Sequence, residues 1–173
     1  MKRTLILSAG HNPRAKGAQV GDTSEYSLNC RVVMELTDSL RKLGVNPIVV
    51  DSSMSLTERI AWINSNYPEA ICIEFHHNVF NKKAEGTEVF FKAGDKIGFD
   101  LGKKLLFQVS TKLSLRNRGM KLASQSARGS LAWVSGLNHG LLWEVCFMDN
   151  PLDLSRGVGF PETLAQCLSP EFT

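Results

Sequence analysis

The stretch "ICIEFHHNVF", Ile71 to Phe80, decides how this chain is read. A short apolar run rich in β-branched and aromatic residues, Ile71 to Phe75, ends in two adjacent histidines and an asparagine. That composition predicts a buried strand over Ala70–Phe75, with the histidines at its carboxyl end. Neighbouring side chains on a strand point to opposite faces. Glu74, His76 and Asn78 therefore share one side, and Phe75, His77 and Val79 the other. The two imidazoles are not expected to reach one common partner.

Working outward, strand and helix patterns alternate. Thr4–Ala9 reads as a first strand ending in Gly10-His11, followed by a glycine-rich polar loop from Asn12 to Ser24. Leu28, Val32, Leu36, Leu40 and Leu43 recur on one face of a helix over Glu25–Leu43, with Gly44 as its stop. Pro47–Asp51 reads as a second strand. Ser55-Leu56-Thr57-Glu58 is a capping box opening a helix through Ile63. Thr87–Phe91 is a strand, and Ile97, Leu101, Leu105, Val109 and Leu113 define a long helix. Ser130–Val134 and Gly140–Phe147 are read as the last two strands, and Pro161–Leu168 as a closing helix. This order predicts an α/β fold. It is a single three-layer domain over residues 1–173, with a mostly parallel twisted sheet of about six strands flanked by helices.

Composition narrows the function classes. The 173 residues are 43% hydrophobic and 21% charged, the balance of an ordinary globular domain. No segment has the roughly 18 apolar residues needed to cross a membrane. The opening Leu5-Ile6-Leu7 run is shorter than the 7–15 apolar residues, or about that, of a secretion signal. The expectation is synthesis in the cytoplasm without a signal peptide. Cys30, Cys72, Cys146 and Cys167 are widely spaced and suggest neither a zinc ribbon nor a redox pair. Net charge is +3, yet seven basic residues and no acidic one fall between Leu101 and Arg128. This asymmetry fits either an anionic partner or a solvated helix face. Nucleic acid is a poor candidate, because Phe107 is the only aromatic interleaved with those charges.

Ligands bind such sheets beyond the carboxyl ends of the strands. His11 and His76 both lie there, and Glu25 opens the helix at the same rim. Two imidazoles and a carboxylate make a donor set suited to catalytic zinc. Spacing alone leaves open whether they are simply hydrogen-bonded polar residues at strand ends. Glu144 interrupts the apolar run "LLWEVCFMDN", where an ionised carboxylate is costly unless it is paired or near a cation. It reads either as a structural glutamate meeting a lysine or as a general base.

Taken in order, "LILSAGHN", "KGA", "EYSLN", "EFHHN", "GTEVFF", "RGMK" and "EVCFMDN" resemble the zinc-dependent N-acetylmuramoyl-L-alanine amidases of the amidase-3 type. The resemblance runs along nearly the whole chain and fades from Pro151 onward. There are departures. Ser8-Ala9 stands where aspartate-proline is usual, Glu74 replaces a small residue, His77 replaces alanine, and Cys146 stands where glycine is common. The resemblance implies one zinc ion on His11, Glu25 and His76, with Glu144 as the catalytic base. It implies peptidoglycan as the partner, cut between muramic acid and L-alanine of the stem peptide. Asn78, Arg118 and Lys121 are the expected substrate contacts, and the "RGMK" segment is expected to be a loop. The absence of a leader suggests a monomeric, phage-type endolysin that reaches the wall after release. The rival readings are a zinc carboxypeptidase of similar fold acting on free peptides and a non-catalytic wall-binding module.

Overall fold

The computed structural model describes residues 3–173. Six strands form one sheet in the order β4-β1-β5-β8-β6-β7. They are β1 (Leu5–Ala9), β4 (Ile48–Val49), β5 (Ile71–Asn78), β6 (Thr87–Phe91), β7 (Asn117–Leu122) and β8 (His139–Phe147). A small antiparallel pair, β2 (Gln19–Val20) with β3 (Thr23–Ser24), lies within the loop that follows β1. The β4/β1, β1/β5, β5/β8 and β6/β7 ladders are parallel, and β6/β8 is antiparallel. The sheet is thus mostly parallel, as its sequence predicts.

The helices are α1 (Glu25–Lys42), α2 (Leu56–Asn66), α3 (Lys96–Leu113), α4 (Ala132–Gly136), α5 (Pro151–Gly157) and α6 (Phe160–Phe172). One sheet face buries Leu5, Leu7, Ile71, Ile73, Phe75, Leu141 and Trp143 beneath α1, α3 and α6. The other buries Ile6, Cys72, Phe90 and Leu142 beneath α2 and α4. This three-layer arrangement hides both faces of the central strands, which is why those strands read as nearly continuous apolar runs. All four cysteines are free, and Cys72, Cys146 and Cys167 are buried.

Several boundaries differ from the sequence reading. β5 runs on through Asn78, so both histidines lie inside the strand rather than beyond it. The ladder to β8 carries it that far, since His76 still pairs with Glu144. The expected strand Ser130–Val134 is a loop leading into α4. The adjacent residues Trp133 and Val134 are both buried, which a strand with one covered face does not permit. Gly140 allows this packing, because a Cβ there would come within 2.7 Å of the Trp133 carbonyl. The Arg118–Lys121 segment, expected as a loop, belongs to β7 at the sheet edge. Its charges and the left-handed Gly119 (φ 87°) disguise it, but charged side chains and irregular backbone are common ways to protect an edge strand. Beyond Pro151 the sequence reading missed α5 and shortened α6. Strand β4 is only two residues long rather than five.

Candidate metal centre

On the α2/α4 face of the sheet, successive rows change character toward the rim. Ile6, Cys72, Leu142 and Phe90 lie in the apolar part. One step further along, Ser8 pairs with Glu74, then His76 with Glu144, and Glu144 with Glu88. Strand alternation therefore brings four acidic or imidazole groups onto one face next to a hydrophobic layer.

The chain leaves β1 through Gly10, whose N–H still bonds to the Phe75 carbonyl at 2.9 Å. His11 then adopts a left-handed conformation, φ 70°, which is uncommon for a residue other than glycine. This turn aims His11 Nε2 at Glu25 Oε2, 2.9 Å away. Glu25 is the first residue of α1, behind the Ser24 N-cap, whose side chain accepts from the Ser27 N–H. Its Oε2 also accepts from the Ala18 N–H at 3.1 Å, and its Oε1 lies 2.8 Å from His76 Nδ1. One nitrogen or oxygen from each of His11, Glu25 and His76 lies within 4.8 Å of the others.

Two glycines make room for this cluster. A Cβ on Gly17, itself at φ 72°, would stand 2.5 Å from both Glu25 Oε2 and His11 Nε2, and a Cβ on Gly10 would overlap the His76 ring. Two imidazoles and a carboxylate, held close and mostly shielded from water, suit zinc chemically. His77 faces the opposite side of the sheet. It is buried, and its Nδ1 lies 2.8 Å from Asn29 Oδ1 on α1, while Asn29 Nδ2 donates to the Gly10 carbonyl. His139 is remote from this rim and bonds to Asp95.

Electrostatics follow from this packing. Burial opposes ionisation of Glu25, but hydrogen bonds from His11 and His76, and their charge, outweigh it and hold the carboxyl well below the usual range. Burial also opposes protonation of His76, yet the Glu25 and Glu74 carboxylates raise its pKa to about 10, helped by the charge of Glu144. Burial lowers His77 to about 4 and keeps it neutral near pH 7. Burial raises Glu144 to about 7; nearby Glu25 and Glu88 push the same way, against His76 and Arg128. Glu144 Oε2 is enclosed and has no hydrogen-bond partner.

Asn78, Arg118 and Lys121 converge on a carboxylate of the protein itself. Glu88 accepts from Asn78 Nδ2 at 3.2 Å, Arg118 Nε at 2.7 Å and Lys121 Nζ at 2.5 Å. Arg118 also lies 5.0 Å from the centre of the Phe147 ring. Sequence reasoning missed Glu88 and Arg59. Arg59 lies four residues before the buried Ile63, on the covered side of α2, and that position was the available signal. Glu88 sits inside the apolar strand Thr87–Phe91, just as Glu144 interrupts β8.

Residues 5–157 match the family model described as N-acetylmuramoyl-L-alanine amidase. YqiI of Bacillus subtilis (strain 168) is 30% identical over 125 residues, covering 69% of this chain. The match spans 60% of YqiI, so this chain covers less than two thirds of that relative's length. Among solved structures, Cwp6 from Clostridium difficile superposes with a TM-score of 0.80 at 21% identity, over all of this chain and 30% of Cwp6. The CwlD amidase from Clostridioides difficile, solved in complex with the GerS lipoprotein, gives 0.80 at 20% identity, over 98% of this chain and 95% of that one. These two likenesses concern the fold.

Proposed function

The chain belongs to the N-acetylmuramoyl-L-alanine amidase family, and from that premise we propose that it hydrolyses peptidoglycan at the amide between muramic acid and L-alanine, using one zinc ion held by His11, Glu25 and His76. The supporting observation is the convergence of these three side chains beside Glu144 on the adjacent strand, a half-buried carboxylate whose Oε2 is enclosed and has no hydrogen-bond partner. When bound, zinc supplies Lewis acidity toward the scissile carbonyl and makes water a better acid at neutral pH.

The protein's own groups supply the remainder. Glu144, with a pKa raised to about 7, is matched to accept a proton from the attacking water and return it to the departing L-alanine nitrogen. His77, neutral and tied to Asn29, takes no proton near pH 7 and braces the strand from behind. Glu88 offsets one of the two charges of Arg118 and Lys121, leaving a net positive edge beside Glu144 that suits the carboxylates of a stem peptide.

The 173 residues act as one catalytic domain in this reading, and an endolysin that reaches the wall after release is the corresponding role. Among the described residues no helix is long and apolar enough to cross a membrane. The experiment is digestion of purified peptidoglycan with metal-loaded, chelated and zinc-restored protein. New lactyl-muramic ends and free L-alanine amino groups are expected, lost on chelation and regained with zinc. Release of single terminal amino acids would replace the amidase with a peptidase. Wall binding that is unchanged in a folded E144A protein, with no bond cleaved by the zinc-loaded wild type, would leave only a binding module.

A further inference from the structure

His76 has a second carboxylate behind it. Glu74 lies two residues earlier on the same face of β5, and its Oε2 is 3.2 Å from His76 Nε2. It is only 4% exposed. Its other oxygen accepts the Ser8 hydroxyl at 3.3 Å and lies 3.7 Å from Arg59 Nη1. Arg59 comes from α2 and is 2% exposed. It donates to the carbonyls of Met54, Ala9, His11 and Ser52 and to the Ser8 oxygen. Among the described residues, Glu74 is the carboxylate within ion-pair distance of Arg59.

A neutral imidazole donates from one nitrogen and offers a lone pair at the other, and a metal takes the lone pair. The Nδ1 atom of His76 faces Glu25, inside the donor set, and Nε2 faces Glu74. A carboxylate paired with a guanidinium can only accept. It therefore selects the form of His76 with the proton on Nε2 and the lone pair on Nδ1. At the other end of the same ion pair, Arg59 Nη2 holds the His11 carbonyl at 2.8 Å, where the backbone takes its left-handed turn.

We propose that Glu74 is a positioning residue, backed by Arg59, that fixes the tautomer and ring direction of His76 toward the metal while Arg59 fixes the turn carrying His11. A single buried ion pair, one half supplied by a helix outside the donor set, thus orients both histidines toward the donor set. Outer carboxylates of this kind raise ligand basicity, and removing one costs about 10–100-fold in metal affinity. This role rests on the zinc reading above.

The test is zinc affinity, measured by competition with a chromophoric chelator on the wild type and on E74Q. The glutamine preserves volume and avoids leaving Arg59 beside a hole. A loss of about 10-fold or more is expected for E74Q. On wild-type protein loaded with zinc, long-range 1H–15N correlation of the imidazoles should show the His76 proton on Nε2. This readout does not depend on how any variant folds. A proton on Nδ1, or an E74Q affinity within about twofold of wild type, overturns the role of Glu74 and leaves the metal centre standing. A wild-type protein that binds no zinc overturns both.

Discussion

Replacing Glu144 with glutamine should make the metal-free protein more stable and the zinc-loaded protein nearly inactive, and the stability gain should depend on pH. Glutamine is close in shape to a protonated glutamic acid but never ionises. In the folded protein burial raises the Glu144 pKa from 4.5 to about 7. Below pH 4.5 both the folded and the unfolded chain hold this proton, and wild type and E144Q should match. Between pH 4.5 and 7 the unfolded chain releases its proton first, which favours unfolding, so wild type loses stability as pH rises. A shift of that size corresponds to about 3 kcal/mol once pH exceeds 7. Urea unfolding of both proteins in chelator at pH 4, 6 and 8 reads the difference directly. The gap should grow from near zero to about 3 kcal/mol in favour of E144Q. Zinc should narrow it, because a nearby cation favours the ionised carboxylate. Wall hydrolysis by E144Q should fall by about 10²–10⁴-fold. A stability difference that is flat with pH, or a less stable E144Q at pH 8, would refute the claim that burial opposes ionisation of Glu144. Retained hydrolysis would refute its catalytic role.

The histidine doublet should respond asymmetrically. H76A should abolish stoichiometric zinc in metal analysis, whereas H77A should keep it. By leaving Asn29 Oδ1 without its partner, H77A should cost about 1–3 kcal/mol in denaturant unfolding. Equal zinc loss in both variants would contradict the opposite-face geometry. G17A should lose zinc and about 1–2 kcal/mol of stability, through its left-handed backbone and a Cβ pressed on Glu25 and His11. Metal analysis and a thermal melt check both effects, and an unaffected variant would show that the loop can yield. E88A should destabilise the fold by about 1–3 kcal/mol, because Arg118, Lys121 and Asn78 all lose their shared acceptor. A stability unchanged in urea would mean that these groups find water instead.

The core and the histidine geometry were legible because both follow from periodicity. Thr87–Phe91 forms a strand with the bounds its composition suggests, and the Ser55–Glu58 capping box opens α2. Alternation alone separates His76 from His77. Less legible were features defined by tertiary contact. Ser130–Val134 carries strand-like residues, but Trp133 and Val134 pack side by side over the sheet because Gly140 lets the chain approach closely. Arg59 looks like a surface charge on an amphipathic helix until five acceptors surround it. Within the cluster, Glu74 is visible in sequence as an acid inside an apolar strand, yet only the β1/β5 register places Ser8 opposite it.

Strand direction explains why Glu88 was not legible in the sequence. In a parallel sheet a site is expected at the carboxyl ends of the strands. β1, β5 and β8 do bring theirs to the rim, with His11, His76 and Glu144. But β6 runs antiparallel to β8, and β7 follows β6. Their amino ends therefore meet the same rim, and Glu88 and Arg118 lie near those starts. A fully parallel sheet would have carried Glu88 to the far end of the molecule, beyond reach of Glu144. Reversing two strands places a neutralised acid across the ladder from a lone one. The same fold thereby supplies one carboxylate that keeps its charge, between Arg118 and Lys121, and one that holds its proton to about pH 7. That difference between two glutamates on adjacent strands arises from which neighbours the topology provides, and it favours Glu144 over Glu88 for the proposed proton transfer.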